Sequence, residues 1–207
     1  MDHKAHSTEY VKTMWEKEGG MNISEEEWTA IWKLQWKCTN SQRWKEYGWK
    51  TVIRYFITPC QKTHYDGKPP NCWRKCGEQR ANHFHILWNC PIIRQYWRDI
   101  HVSLQDIFKC VFPFGMKTVY FGCLPQEWKR KDNGLLSILL VASKKSITKR
   151  WLSQDSPTIS EWWNTTLEIY KMEQMTALIN QKQDQFLARW EKWVVFIKNK
   201  KPDLILS

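Results

Sequence analysis

No stretch of this sequence is apolar for long enough to cross a bilayer. The longest, Leu135 to Ala142, falls far short of the roughly 20 residues a spanning helix needs. The N-terminus, Met1 to Glu18, is polar and charged and lacks the apolar stretch of a secretory signal, so the chain reads as a soluble intracellular protein with no membrane partner. Catalytic signatures are missing too. There is no Asp-Asp pair to hold two metal ions as a polymerase palm does, no glycine-rich loop ending in Gly-Lys-Ser/Thr, no His-Glu-x-x-His and no Gly-x-Ser-x-Gly. A zinc deaminase is excluded because neither His83 nor His85 is followed by the required glutamate, and Cys72-x3-Cys76 is one residue too wide. Internal repeats and low-complexity segments are absent as well, and no catalytic residue is expected.

What the chain does have is positive charge and tryptophan. Its 207 residues carry 32 Lys and Arg against 21 Asp and Glu, a net charge of +11 that attracts polyanions. A solvated basic surface that merely keeps the protein soluble would give the same balance. Fifteen tryptophans exceed what one core of this size needs, since each buried indole removes about 200 Å² from water. The surplus is available for stacking or for partner contacts. Seven cysteines, an odd number, suit thiols or metal ligands in a reducing compartment better than a disulfide framework.

The predicted fold is mostly α, a helical domain interrupted by one metal-stapled Cys/His loop. Residues 1–23 read as a flexible lead-in ending at Gly19-Gly20. Residues 24–110 read as helices flanking a zinc-knuckle-like loop at about 59–90, and 111–207 as a C-terminal helical region. Ser24 with Glu27 makes a capping box, opening a helix to about residue 38 with Trp28, Ile31, Trp32 and Trp36 at helical spacing. A second helix, carrying Trp44, Tyr47 and Trp49, stops before Pro59. Pro91 opens the next, with an apolar stripe from Ile92 to Phe108. A short strand is expected at 118–121. Asn133 is placed to cap a helix from Gly134 to about Leu152, and Thr158 with Glu161 forms a second capping box before a helix to about Asn180. The last helix runs from Lys182 to Lys198.

Chemistry is concentrated in Cys72-Trp73-Arg74-Lys75-Cys76, His83, His85 and Cys90. Taking His85, the pattern is Cys-x3-Cys-x8-His-x4-Cys, and Cys3His is one of the standard ligand sets of structural zinc. His83 is the alternate ligand. Four protein ligands close the coordination sphere and leave no position for a reactive water, which points to structure rather than hydrolysis. The loop has few apolar residues of its own, so zinc binding would substitute for a core. The competing reading makes Cys72, Cys76 and Cys90 small buried hydrophobes, as Cys38, Cys60, Cys110 and Cys123 are expected to be, with Cys60 near enough to substitute as a ligand.

Basic and aromatic residues interleave around this loop. Arg54, Trp73, Arg74, Lys75 and Arg80, with Lys144 and Lys145 on the later helix, are the candidate nucleic-acid contacts, cations for phosphates and rings for bases. Trp88 reads instead as packed on the cluster.

Three strings carry a resemblance. Lys50-Thr51-Val52-Ile53-Arg54-Tyr55-Phe56-Ile57-Thr58-Pro59 leads into Cys72-Trp73-Arg74-Lys75-Cys76-Gly77, with its later histidine and Trp88-Asn89-Cys90, and Glu168-Ile169-Tyr170-Lys171-Met172-Glu173 follows. In order and separation they resemble the C-terminal segment of the reverse transcriptase protein of vertebrate LINE-type (non-LTR) retrotransposons, over most of residues 40–198. In that family the segment follows an endonuclease and a polymerase, has no catalysis of its own, and is thought to bind RNA during copying at a nicked chromosomal site. The resemblance implies Cys72, Cys76, His85 and Cys90 as the metal set, RNA and an RNA–DNA hybrid as partners, contact with the polymerase part of the protein, and a cytoplasmic ribonucleoprotein and the nucleus as locations. The gap from Cys76 to His85 is one residue longer than in the mammalian version, and a gap to His83 would be one shorter. The expected function is a non-catalytic, zinc-stabilised RNA-binding module. The alternative is a protein-interaction domain that docks through exposed tryptophans.

Overall fold

A computed structural model describes residues 3–37, 39, 41–125, 128 and 130–201. Cys38 lies outside the described residues. The fold is mostly α, with no strand among the described residues. Among the described residues eight α-helices follow one another: α1 (His3–Gly19), α2 (Glu25–Lys37), α3 (Gln42–Val52), α4 (Pro59–Asp66), α5 (Pro91–Phe108), α6 (Asn133–Lys149), α7 (Ile159–Ile179) and α8 (Gln183–Lys200). None of them is long and apolar enough to cross a membrane.

Helix α6 forms the axis. It is apolar nearly all round, Leu135, Leu136 and Ile138 to Ala142 being buried, and a helix of that kind has to be enclosed by others. Helices α2, α3, α7 and α8 enclose it, and α5 packs on α8, so the helices on either side of residue 110 share one hydrophobic core.

Both capping boxes form. Ser24 N–H donates to Glu27 while Glu27 N–H donates to Ser24 Oγ, and Thr158 with Glu161 repeats the exchange. Each satisfies two backbone donors that a helix start otherwise leaves open. Thr158→Ala is expected to cost about 1 kcal/mol, lowering the melting temperature by about 2–4 °C. Thermal unfolding followed by far-UV circular dichroism checks it, and an unchanged midpoint would mean the cap contributes nothing.

Three expectations are corrected. Residues 1–23, expected as a flexible lead-in, carry α1, whose Trp15 is fully buried and donates its indole N–H to the Val52 carbonyl at 2.8 Å. The strand at 118–121 is instead a π-helical turn, Met116–Tyr120. Thr118 Oγ1 donates back to the Pro113 and Gly115 carbonyls, and Phe121 N–H donates to Met116, so local bonds take the place of a ladder that has no partner strand. The residue capping α6 is Asp132, which makes no side-chain capping bond and pairs with Lys192 at 2.6 Å, while Asn133 Oδ1 accepts from the Trp128 indole.

Candidate metal centre

Between α4 and α5 the chain makes a tight knuckle. Lys75 N–H donates to the Cys72 carbonyl, Cys72 N–H to the Glu78 carbonyl, and Ala81 N–H to Pro70, which draws the two sides of the loop together. Lys75 (φ 56°) and Gly77 (φ 92°) take the left-handed conformations that turn the chain within Cys72–Gly77. The loop thereby brings Cys72 and Cys76 to one side.

The other two ligands come from a π-helical turn, His85–Asn89, closed by Cys90 N–H donating to the His85 carbonyl at 2.9 Å. On an α-helix, residues five apart point in different directions. An i→i+5 turn brings them back to the same side, which is what a His-x4-Cys pair needs. Asn82 Oδ1 accepts from His85 N–H at 2.8 Å and fixes where the turn begins.

Ligand atoms of Cys72, Cys76, His85 and Cys90 all lie within 4.8 Å of one another. Cys72 Sγ is 4.0 Å from Cys90 Sγ, and Cys76 Sγ is 3.3 Å from His85 Nε2. Bonds of about 2.3 Å to sulfur and about 2.0–2.1 Å to nitrogen put tetrahedral ligands about 3.5–3.8 Å apart, so the set fits one ion with small adjustments. Cys72, His85 and Cys90 are buried, and Cys76 is the more exposed corner. The Cys72–Cys90 pair shares its proton unequally. The Cys72 hydrogen bond holds Cys90 far below the usual thiol range, helped by His85, the Ile92 backbone N–H and the Arg74 guanidinium. One sulfur of the pair thus favours thiolate, the form that binds metal, while its hydrogen bond to Cys90 and burial push the Cys72 thiol up.

His83 stands outside the cluster. It is buried against Trp15, and its Nε2–H is used on the Arg54 and Phe56 carbonyls, both at 2.9 Å. Burial, then the Arg54 charge, pushes its pKa down to about 3, so it is a neutral structural imidazole that ties α1 to the segment after α3. Cys60, Cys110 and Cys123 also lie outside the set, all three half-buried and the last two packed against the core, and burial raises the Cys123 thiol to about 12.

Of the candidate nucleic-acid contacts, three turn inward instead, Arg74 and Lys144 being buried and Arg54 half-buried. Arg54 pairs with Glu18 and lies over the Trp15 ring at 4.9 Å, Arg74 is 3% exposed and donates Nη1–H to the Ile86 carbonyl at 2.8 Å, and Lys144 is buried with its Nζ 5.0 Å from the Tyr120 ring centroid. Long cationic side chains fold inward when their heads find a carbonyl, a carboxylate or a ring, and all three do. Lys75 and Arg80 are exposed, while Trp73 and Lys145 are half-exposed. Trp88 is packed between Trp97 and Phe114, as expected.

Sequence reasoning missed Tyr55 and Trp151. Tyr55 is 59% exposed, and Trp151, just past α6, sets its ring 5.4 Å from Trp73. The available signal was Trp151 directly following Lys149-Arg150. No protein-family model matches the chain.

Proposed function

We propose that this chain is a non-catalytic, zinc-stabilised module that binds RNA, and that it corresponds to the C-terminal segment of a LINE-type retrotransposon reverse transcriptase. The observation that carries the reading is the Cys3His cluster on a loop that also exposes Lys75 and Arg80 and leaves Trp73 half-exposed. Four protein ligands complete a tetrahedral zinc sphere, so the ion would fold the loop and leave no coordination position for a substrate. Residues 72–90 then work as a rigid mount for an aromatic ring and cations, in a chain whose net charge of +11 draws a polyanion toward them. In the family it resembles, such a segment supports copying of the element's transcript.

The test is a titration of zinc-loaded protein with fluorescent single-stranded and hairpin RNA at several salt concentrations, repeated with Cys72→Ser. Affinity should fall steeply with salt, each neutralised phosphate of a single strand contributing about −0.7 to the log–log slope, and should weaken in the variant. Binding untouched by Cys72→Ser would move the contact away from the metal loop. No binding at moderate salt would remove the RNA reading.

Protein docking is the second reading, and its surface differs from the one expected. Among fifteen tryptophans only Trp36 is mostly exposed, at 56%. The exposed apolar side chains that favour this reading are Met175, Leu178, Ile179 and Leu187, near the turn between α7 and α8.

A further inference from the structure

A chain of ring contacts leaves the metal loop and crosses the surface. Trp73 meets Trp151 edge-on at 5.4 Å, Trp151 meets Phe56 at 5.4 Å, and Phe56 meets Tyr55 at 5.8 Å and Tyr47 at 5.9 Å. Trp151 is pinned by its indole N–H, which donates to the Ile57 carbonyl at 2.9 Å. The segment after α3, the knuckle and the end of α6 therefore form one aromatic face. The inner rings are packed, and the outermost, Tyr55, stands in solvent.

Cations border the same face. Lys50 Nζ lies 4.8 Å from the Tyr55 ring centroid and Lys145 Nζ 4.8 Å from that of Tyr47. Carboxylates neutralise some neighbours, Glu46 pairing with Lys50, Glu168 with Lys149 and Glu161 with Arg150. Among the described residues none stands at ion-pair distance from Arg43, Lys75 or Lys145. Burial holds Lys145 below the ordinary lysine range, and the charges of Arg43 and Lys149 push it the same way against the opposing charge of Glu168.

We propose that this face, with Tyr55, Trp73 and Trp151 for bases and Arg43, Lys75 and Lys145 for phosphates, is a track for single-stranded nucleic acid. The proposal rests on the RNA-binding reading and locates its contact, extending it from the knuckle to the end of α6. Rings bordered by cations that no carboxylate neutralises match a strand that presents both bases and phosphates. An acidic peptide would use the cations and leave the rings idle.

The test uses the full zinc-loaded chain and a short fluorescein-labelled oligouridylate. Tyr55→Ala removes an exposed ring and should leave the melting temperature unchanged while weakening binding about 5- to 100-fold, with Tyr55→Trp restoring it. Arg43→Gln with Lys145→Gln should reduce the salt slope by about 1.4. Lys182→Gln is the control. It lies at the start of α8, beyond the far end of α7, whose stretch from Glu161 to Ile179 spans about 27 Å, and Glu161 pairs with Arg150 beside the face. It should bind as the unmodified chain does. If the unmodified chain binds and Tyr55→Ala and the double variant bind equally well, the track is wrong and the RNA reading stands. If the unmodified chain does not bind the oligonucleotide even at low salt, both fall, and a protein partner takes their place.

Discussion

Zinc-loaded protein treated with a strong chelator is expected to lose the order of residues 72–80 and about 5 kcal/mol of stability, a fall of about 10–20 °C in melting temperature. The reasoning starts from what holds that segment. The chain that follows it is well anchored: Ala81, Ile86 and Leu87 are buried, and Trp97 donates its indole N–H to the Leu87 carbonyl at 2.8 Å. The knuckle has no such support, since residues 74–80 contribute no buried apolar side chain and are held by a few backbone hydrogen bonds. Structural zinc contributes about 10–16 kcal/mol in isolated finger peptides. Here the helices around α6 keep their own core, so only part of that would appear as lost stability. Near-UV circular dichroism should report it locally, because Trp73 rests on Trp151 and Trp88 on Trp97. One metal per chain by elemental analysis, and the visible spectrum of a tetrahedral cobalt thiolate after exchange, would identify the site. An unchanged melting curve and near-UV spectrum, with no metal retained on purification, would return Cys72, Cys76 and Cys90 to the status of buried thiols.

The sequence was legible where local chemistry decides the outcome. Ser24-x-x-Glu27 and Thr158-x-x-Glu161 announce helix starts because each box is complete within four residues. Cys72, Cys76, His85 and Cys90 could be grouped because ligand spacing is itself a local constraint. Choosing between His83 and His85 took the fold, because His83 is claimed by carbonyls of Arg54 and Phe56, nearly thirty residues away along the chain. Helix α1 was missed for a similar reason. It is polar along most of its length, and what holds it is non-local: Trp15 buried against Tyr120 and Phe121, Lys12 paired with Glu25, and Glu18 with Arg54. The π-helical turn at Met116–Tyr120 was mistaken for a strand because a short run with β-branched and aromatic residues has no periodicity to separate the two. Charge misled most. Arg54, Arg74 and Lys144 carry charges that ordinarily face water, and only the packed structure turns them inward.

Arg74→Met is expected to weaken zinc binding about 10- to 100-fold, so that it costs the metal-loaded protein about 1.4–2.7 kcal/mol more than the metal-free one. A divalent ion with three thiolates and a neutral imidazole sums to one negative charge. Burying it among Cys72, His85 and Cys90 is costly unless a cation is buried with it. Arg74 is that cation. Its guanidinium is held beside the cluster by the Ile86 carbonyl, its charge lowers Cys90, and its backbone N–H bonds the Cys72 sulfur. Its Nε is buried with no protein partner, as expected of a group whose main interaction is with the charge of the site. Methionine keeps much of the stem and removes the charge. The metal-free protein separates this role from simple packing. Without the ion only the Cys90 sulfur is left to face the guanidinium, so Arg74→Met should then cost less. The loss should therefore be larger in the loaded state, with Arg74→Lys intermediate because it keeps the charge without the planar fork. An equal loss with and without metal would mean that Arg74 acts through its stem and its bond to Ile86 alone.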